Sequence, residues 1–241
     1  GIEQDADAAT AVLDSGLRLR ARLLLGADGA ASRVRDLAEL AVSERDYGQR
    51  GLVAYVTTQH HHQDTAWQRF LPTGPLAFLP CADGRSSIVW TLPTAEAERI
   101  AALDDADFCR ELTRAFDARL GGVTACSARA AFPLRRQLAR AMVSGRVALV
   151  GDAAHAVHPL AGQGVNLGLR DVAALRDSVQ AALAADRDFS APHRIARWAR
   201  ERVSDSAVAG HAFEAINAVF SNDAVLPTLL RGQALALAGK L

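Results

Sequence analysis

The stretch Arg146-Val-Ala-Leu-Val-Gly-Asp-Ala-Ala-His-Ala-Val-His-Pro-Leu-Ala-Gly-Gln-Gly-Val-Asn-Leu-Gly-Leu-Arg-Asp171 limits what this chain can fold into more than any other. Its first five residues read as a short buried strand that ends at Gly151. Asp152 then projects from the carboxyl end, the place where open α/β sheets put ligands. A carboxylate there accepts hydrogen bonds from a sugar-like hydroxyl. Pro159 stiffens the loop that follows, and Ala161-Gly162-Gln163-Gly164 supplies small residues whose backbone can approach a flat ligand. The helix that begins around Gly164 turns its free N–H groups and positive dipole end back toward that ligand, an arrangement suited to a ring that gains negative charge on reduction. Gly162-Gln163-Gly164 alone would read as an ordinary strand–loop–helix joint. Gly151-Asp152, His158-Pro159 and Ala161 through Val165-Asn166 in one continuous run point to a ligand cradle instead.

Elsewhere the pattern alternates between strand and helix periods. Residues 17–25 alternate and then become continuously apolar, which reads as one strand entering a buried sheet and running into a turn with Asp28-Gly29 and a short helix. From about Gly51 strands and turns follow, with Leu52, Ala54 and Val56 alternating and Asp83-Gly84 marking a hairpin. Phe108, Leu112, Phe116 and Leu120 recur every four residues, one face of a helix with Asp104 or Asp105 as its N-cap. Residues 127–133 read as one more strand. Val165, Leu169, Val172, Leu175, Val179 and Leu183 form the apolar face of a helix of several turns. Ser190 and Pro192 restart the chain as another helix, with a break expected near Gly210.

Composition narrows the function classes. The 241 residues carry 27 basic and 27 acidic side chains, and this zero net charge, with no basic stripe, argues against a nucleic-acid partner. Cys81, Cys109 and Cys126 are odd in number and lack metal-ligand spacing, which excludes a disulfide scaffold or zinc ribbon and points to a reducing compartment. No apolar run approaches the ~20 residues of a membrane helix. The first residues are polar and Met142 is the sole methionine, so the chain is expected to be an internal piece of a longer protein.

Gly151-Asp152 followed by His158-Pro-Leu-Ala-Gly-Gln-Gly-Val-Asn-Leu-Gly-Leu-Arg-Asp171 resembles the signature of the flavin-dependent aromatic hydroxylases of ubiquinone biosynthesis (UbiH/UbiF type), within the wider class of single-component FAD monooxygenases. Leu25-Gly-Ala-Asp-Gly-Ala-Ala-Ser-Arg-Val-Arg35 resembles the Asp-Gly motif of that class. Phe70-Leu-Pro-Thr-Gly-Pro-Leu-Ala-Phe-Leu-Pro80, Val89-Trp-Thr91 and Phe220-Ser-Asn-Asp223 also resemble the ubiquinone branch. The resemblance implies an α/β (α+β) fold, with a partial FAD-binding domain and a substrate domain built on a mostly antiparallel sheet. Residues 1–46 and 141–241 would belong to the first and 47–140 to the second. It further implies that Asp152 holds the ribityl chain of FAD and Pro159 sits beside the isoalloxazine. Backbone amides around Gly162 to Val165 would face the pyrimidine end, flanked by Ala161 and Asn166. Asp28, Gly29 and Arg35 would lie near the pyrophosphate and help dock NAD(P)H.

The reaction implied is hydroxylation of a polyprenylated phenol with NAD(P)H and O2, in the cytoplasm, with peripheral contact at the inner membrane and with other ubiquinone-biosynthesis proteins as candidate partners. Because the cofactor carries the hard chemistry, no single catalytic acid or base is expected. The class opens with a strand and a Gly-x-Gly-x-x-Gly turn for the ADP half of FAD, and no such pattern occurs here, so the isolated piece is expected to bind FAD weakly or not at all. A hydroxylase of a soluble aromatic and a truncated, non-catalytic assembly component are the alternatives. His60-His61-His62 reads as a solvated loop rather than a metal site, and His155 and His158 as loop-shaping or cofactor-adjacent residues rather than metal ligands. Trp67, Phe70, Phe78 and Trp90 read as core. Residues 225–241 read as a packed terminal helix.

Overall fold

Short segments at the start of the chain pair as an antiparallel meander of β1 (Ile2–Gln4), β2 (Ala9–Val12) and β3 (Arg18–Ala21). The computed structural model describes residues 1–157 and 163–220. Arg18 pairs with Glu3, and Arg20 with Asp5 at 2.6 Å, so the arginines that give residues 17–25 their alternation face carboxylates across the meander. That run is therefore two strands rather than one. All four residues of β3 are exposed. The chain then bends at Arg22, which pairs with Asp188 and lies over the Phe189 ring at 4.5 Å, and enters a different sheet as β4 (Leu24–Gly26). A turn leads into the short helix α1 (Arg33–Leu37).

Contacts divide the chain into one compact unit of Gly1–Arg45 with Arg135–Phe213 and a second built on Asp46–Leu134. The long strand β5 (Val42–Thr58) carries the chain into the second unit, followed by β6 (Trp67–Leu71), β7 (Gly74–Pro80) and β8 (Ser86–Pro93). They form an antiparallel sheet in the order β5-β8-β7-β6. The register sets Trp90 opposite both Leu52 and Leu76, and Ile88 opposite Ala54 and Phe78, so one face is apolar throughout. Two helices cover it, α2 (Thr94–Ala101) through Ala97 and Ile100, and α3 (Asp105–Ala115) through Phe108 and Leu112. Phe78 stacks on Phe116 with ring centroids 4.0 Å apart. Each such side chain contributes about 1.5–3 kcal/mol when fully buried, which makes this face the main stabilising element of the unit. Phe78 and Trp90 are core, as their alternation indicates, whereas Phe70 stays 39% exposed.

Asp104 is the N-cap of α3, its carboxylate accepting the Asp107 N–H at 2.7 Å. Asp104→Ala is expected to cost about 1 kcal/mol in urea unfolding; an unchanged midpoint would contradict the cap. The helix ends before Leu120. Asp117 and Ala118 adopt left-handed backbone (φ 58° and 48°), and Leu120 returns to the core from that turn. The strand expected at 127–133 starts only at Ala130, as β10 (Ala130–Ala139), and a separate strand, β9 (Val123–Cys126), precedes it and pairs with the end of β5. β9 is too short, and β10 too exposed on both faces, to show a clean period of two.

β10 returns the chain to the first unit. There β11 (Val143–Ser144) pairs antiparallel with β12 (Val147–Leu149), which is parallel to β4. A 3-10 turn at Gly151–Ala153 follows, then β13 (His155–Ala156), paired with the last residues of β10. Two long helices complete the described chain, α4 (Gln163–Ala184) and α5 (Pro192–Phe220). α5 starts with Pro192 in its first turn, where a missing N–H costs nothing, and runs through Gly210 unbroken. α4 packs by only part of the expected face, through Leu175 and Val179. Val165, Leu169, Val172 and Leu183 are 71, 61, 52 and 58% exposed, while Leu167, Asp171, Leu175 and Ala182 are buried. A buried aspartate in the packing stripe displaces the apolar face that periodicity alone selects, and its partners account for it.

Candidate functional site

β4 and β12 lie side by side with Leu149 in register with Gly26, so both strands leave the sheet at the same level. The Val150 N–H donates to the Gly26 carbonyl at 2.9 Å. A Cβ on Gly26 would come within 2.8 Å of both Leu149 and Val34, which is why the strand must end on glycine there. In the turn beyond, Asp28 commits both carboxylate oxygens to the start of α1, accepting from the Ser32 hydroxyl at 2.5 Å and the Val34 N–H at 3.0 Å. Burial pushes the Asp28 carboxyl up, but the hydrogen bonds from Ser32 and from backbone amides outweigh it and hold the group below the usual carboxylate range. Gly29 supplies the left-handed backbone of the turn (φ 83°).

Arg35 is 5% exposed and donates from Nη1 to the Ala30 carbonyl at 2.9 Å and the Ala153 carbonyl at 3.3 Å. It thereby bolts the turn after β4 to the turn after β12. The Asp28–Gly29 and Gly151–Asp152 motifs, more than a hundred residues apart in sequence, are one construction.

The turn after β12 is fixed from behind. Gly151 has φ 61°, and its N–H donates to Asp171 Oδ2 at 3.0 Å. The same oxygen lies 2.6 Å from His155 Nε2, while Oδ1 accepts from Arg202 Nε at 3.0 Å. Trp198 Nε1 donates to the Asp171 carbonyl at 3.3 Å. Asp171 is 0%, His155 1% and Arg202 7% exposed. Burial alone would raise the Asp171 carboxyl, yet His155, the Gly151 amide and Arg202 hold it below its ordinary value. A charge this deep is tolerated because three donors meet it. Periodicity did not single out this network. The legible signal was an acid at four-residue spacing between Leu167 and Leu175, on the stripe that packs.

Gly151 also sits against α4. A Cβ on Gly168 would lie 3.0 Å from the Gly151 Cα. Gly168→Ala is expected to destabilise the chain by about 1 kcal/mol despite alanine's better helix propensity, because the overpacking penalty exceeds the propensity gain. A raised urea midpoint would show that the contact is slack.

The result is a turn locked on one side with Asp152 exposed on the other, and the Asp152 carboxylate has no hydrogen-bond or ion-pair partner among the described residues. α4 opens at Gln163, and a Cβ on Gly164 would meet nothing within 4 Å. Val165 and Asn166 are exposed, and amides of a helix's first turn have no intrahelical acceptor. His158, Pro159, Ala161 and Gly162 lie outside the described residues. A bare acceptor, a row of amides and a glycine facing open space fit the ribityl hydroxyls and pyrimidine edge of a flavin.

Among the described residues no group of three or more histidine, cysteine or acidic side chains could hold a metal ion. The triple-histidine segment is not wholly solvated. His62 is 1% exposed, its Nδ1 accepting the Asp64 N–H at 3.1 Å and its carbonyl accepting Trp67 Nε1 at 3.3 Å, so it pins the start of β6.

The chain matches the FAD binding domain family over residues 1–202 and belongs to it. Among individual relatives, the ubiquinone hydroxylase UbiL of Rhodospirillum rubrum is 40% identical over 230 residues, covering 95% of this chain and 54% of the relative. The 3-demethoxyubiquinol 3-hydroxylase of Escherichia coli K12 is 40% identical over 217 residues, covering 90% of this chain and 55% of the relative. The chain thus spans about half the length of these curated relatives. Among solved structures, PqsL of Pseudomonas aeruginosa in complex with 2-aminobenzoylacetate superposes with a TM-score of 0.75 at 25% identity, covering 92% of this chain and 62% of PqsL. The fold is the mixed α/β fold of FAD-dependent monooxygenases.

Proposed function

We propose that this chain carries the flavin-facing residues of a monooxygenase that hydroxylates the ring of a polyprenylated phenol in ubiquinone biosynthesis, with NAD(P)H as reductant and O2 as oxidant. The observation that carries the reading is the turn after β12, locked by Asp171 and Arg35 while Asp152 is left bare beside the start of α4. Two relatives at 40% identity, one named a ubiquinone hydroxylase and the other a demethoxyubiquinol hydroxylase, support the substrate class.

FAD, when bound, supplies hydride acceptance and oxygen activation. The chain's own residues bind and orient. Asp152 accepts hydrogen bonds from the ribityl chain. The backbone at Gln163, Gly164, Val165 and Asn166, with the α4 dipole, stabilises negative charge on the pyrimidine end. By the family resemblance, Pro159 would sit beside the isoalloxazine, with Ala161 and Gly162 toward its pyrimidine end. Asp28 and Gly29 shape the turn toward the pyrophosphate, and Arg35 positions both turns, its guanidinium being committed to carbonyls. Residues 1–46 and 141–241 form the cofactor part and 47–140 the substrate part, a division supported by the contact boundaries at Arg45–Asp46 and Leu134–Arg135 but not by the one at Phe213–Glu214. A prenylated substrate brings the protein to a membrane surface; no helix among the described residues is long and apolar enough to cross a membrane.

The test is turnover by the complete gene product with NADH or NADPH, on a prenylated phenol and on the same phenol without its tail. The prenylated compound should be favoured about 10-fold or more in kcat/KM, since each buried methylene contributes about 0.8 kcal/mol. Preference for the bare phenol would move the enzyme to soluble aromatics. A folded, flavin-free protein without turnover would make it an assembly component.

A further inference from the structure

A groove of about 410 Å³ runs between the segment that joins β10 to β11 and one face of α5, within the first unit and lined by none of the residues assigned to the flavin. Its floor is apolar. Met142 is 2% and Ala199 7% exposed, and Val143 and Val203 are half-buried beside them. The groove exists because the face of α5 behind it carries Ala196, Ala199 and Val203 at three- and four-residue steps, with Ser204 beside them, side chains too short to close the gap.

Two cations flank this slot, Arg140 from the strand side and Arg200 from the helix, both exposed. The Arg140 backbone is anchored, its N–H donating to the Ala41 carbonyl at 2.9 Å. Neither guanidinium has an ion-pair or hydrogen-bond partner among the described residues. The acids nearest Arg200 in sequence are already engaged, Glu201 with Arg197 at 3.1 Å and Asp205 with Arg202 at 2.7 Å. Many of the chain's arginines, among them Arg18, Arg20, Arg22, Arg85 and Arg99, hold a carboxylate, whereas these two, like a few others, do not. What sets Arg140 and Arg200 apart is that both border one apolar slot.

We propose that this groove is a second binding site, for a single-chain anionic amphiphile of the fatty-acid type. The slot takes the hydrocarbon chain, and Arg140 and Arg200 take the carboxylate. Uncompensated guanidinium forks match a planar carboxylate, and an apolar pocket with a few placed polar groups is the usual form of a small-molecule site. This proposal does not depend on the flavin reading, because no residue is shared between the two sites.

The test is calorimetric titration of the complete gene product with dodecanoate below its micelle concentration, with dodecanol as the uncharged control. Saturable one-to-one uptake is expected. Arg140→Gln and Arg200→Gln should each weaken it about 10-fold, the size of one charge-assisted hydrogen bond, and dodecanol should bind more weakly by a similar factor. Ala196→Leu, which fills the slot, should abolish uptake while the unfolding midpoint stays at the wild-type value. The proposal is overturned by absent saturable uptake, or by uptake that survives all three substitutions. It is equally overturned if phosphatidylglycerol vesicles bind the protein through these arginines while dodecanoate does not, which would make the face a bilayer contact.

Discussion

Asp171→Asn is expected to lower the unfolding free energy by about 3–5 kcal/mol, the usual cost of removing one partner from a buried charge network. The substitution keeps the shape but leaves Arg202 without its buried carboxylate and weakens the grip on the Gly151 N–H. Urea unfolding gives the loss directly. Adding Arg202→Met should recover part of it, because the double variant no longer buries a cation whose remaining carboxylate, Asp205, is exposed, so the two changes should be non-additive. Simple additivity would show that Asp171 and Arg202 act separately.

The same carboxylate gives a pH dependence of defined sign. Its folded-state pKa is held below the ordinary value, so its stabilisation is complete above about pH 4 and is lost as pH falls through the folded value. Asp188, held to about 2 chiefly by hydrogen bonds from Ser190 and then by Arg22, contributes to the same acid limb. Asp171→Asn should therefore flatten the fall in stability below pH 4 without abolishing it, as acid titration of the urea midpoint would reveal.

Asp152→Ala should do the reverse. Its exposed carboxylate has no protein partner among the described residues, so stability should change by no more than about 0.5 kcal/mol. Flavin affinity of the complete gene product should fall about 10- to 100-fold, corresponding to loss of a hydrogen bond to a charged group. On the proposed function, one aspartate at this joint serves the fold and the other the ligand. Stability and flavin content measured on both variants separate the roles, and loss of fold in Asp152→Ala would show that the division is wrong.

Signals that are local in sequence were legible before the structure. Asp104 as a cap, Asp83-Gly84 as a hairpin turn, the alternating Leu52, Ala54 and Val56, and the Gly151-Asp152 joint each rest on a few adjacent residues, and each lies where the sequence places it. What escaped depends on contacts across the chain. Arg35 was read as facing the cofactor, but its reach to the Ala153 carbonyl cannot be seen from either motif alone. Arg146 opens the most informative stretch, yet its role is visible only in space, where it donates to the Ala6 carbonyl at 2.9 Å and the Ser190 hydroxyl at 2.7 Å and joins the meander to the segment before α5. The apolar face of α4 holds only at Leu175 and Val179, because periodicity gives weight to valine and leucine and none to an aspartate whose charge is met by partners as distant as Arg202. The split of residues 17–25 escaped for the same reason, since the carboxylates that hold β3, Glu3 and Asp5, lie on β1 and just after it.

The most direct measurement is the visible absorption spectrum of the purified complete gene product beside that of its Asp152→Ala variant. The account predicts oxidised-flavin bands at about one equivalent per chain in the wild type, and their loss on gel filtration of the variant at an unchanged unfolding midpoint. A colourless wild type, or a variant that keeps its flavin in full, would contradict it.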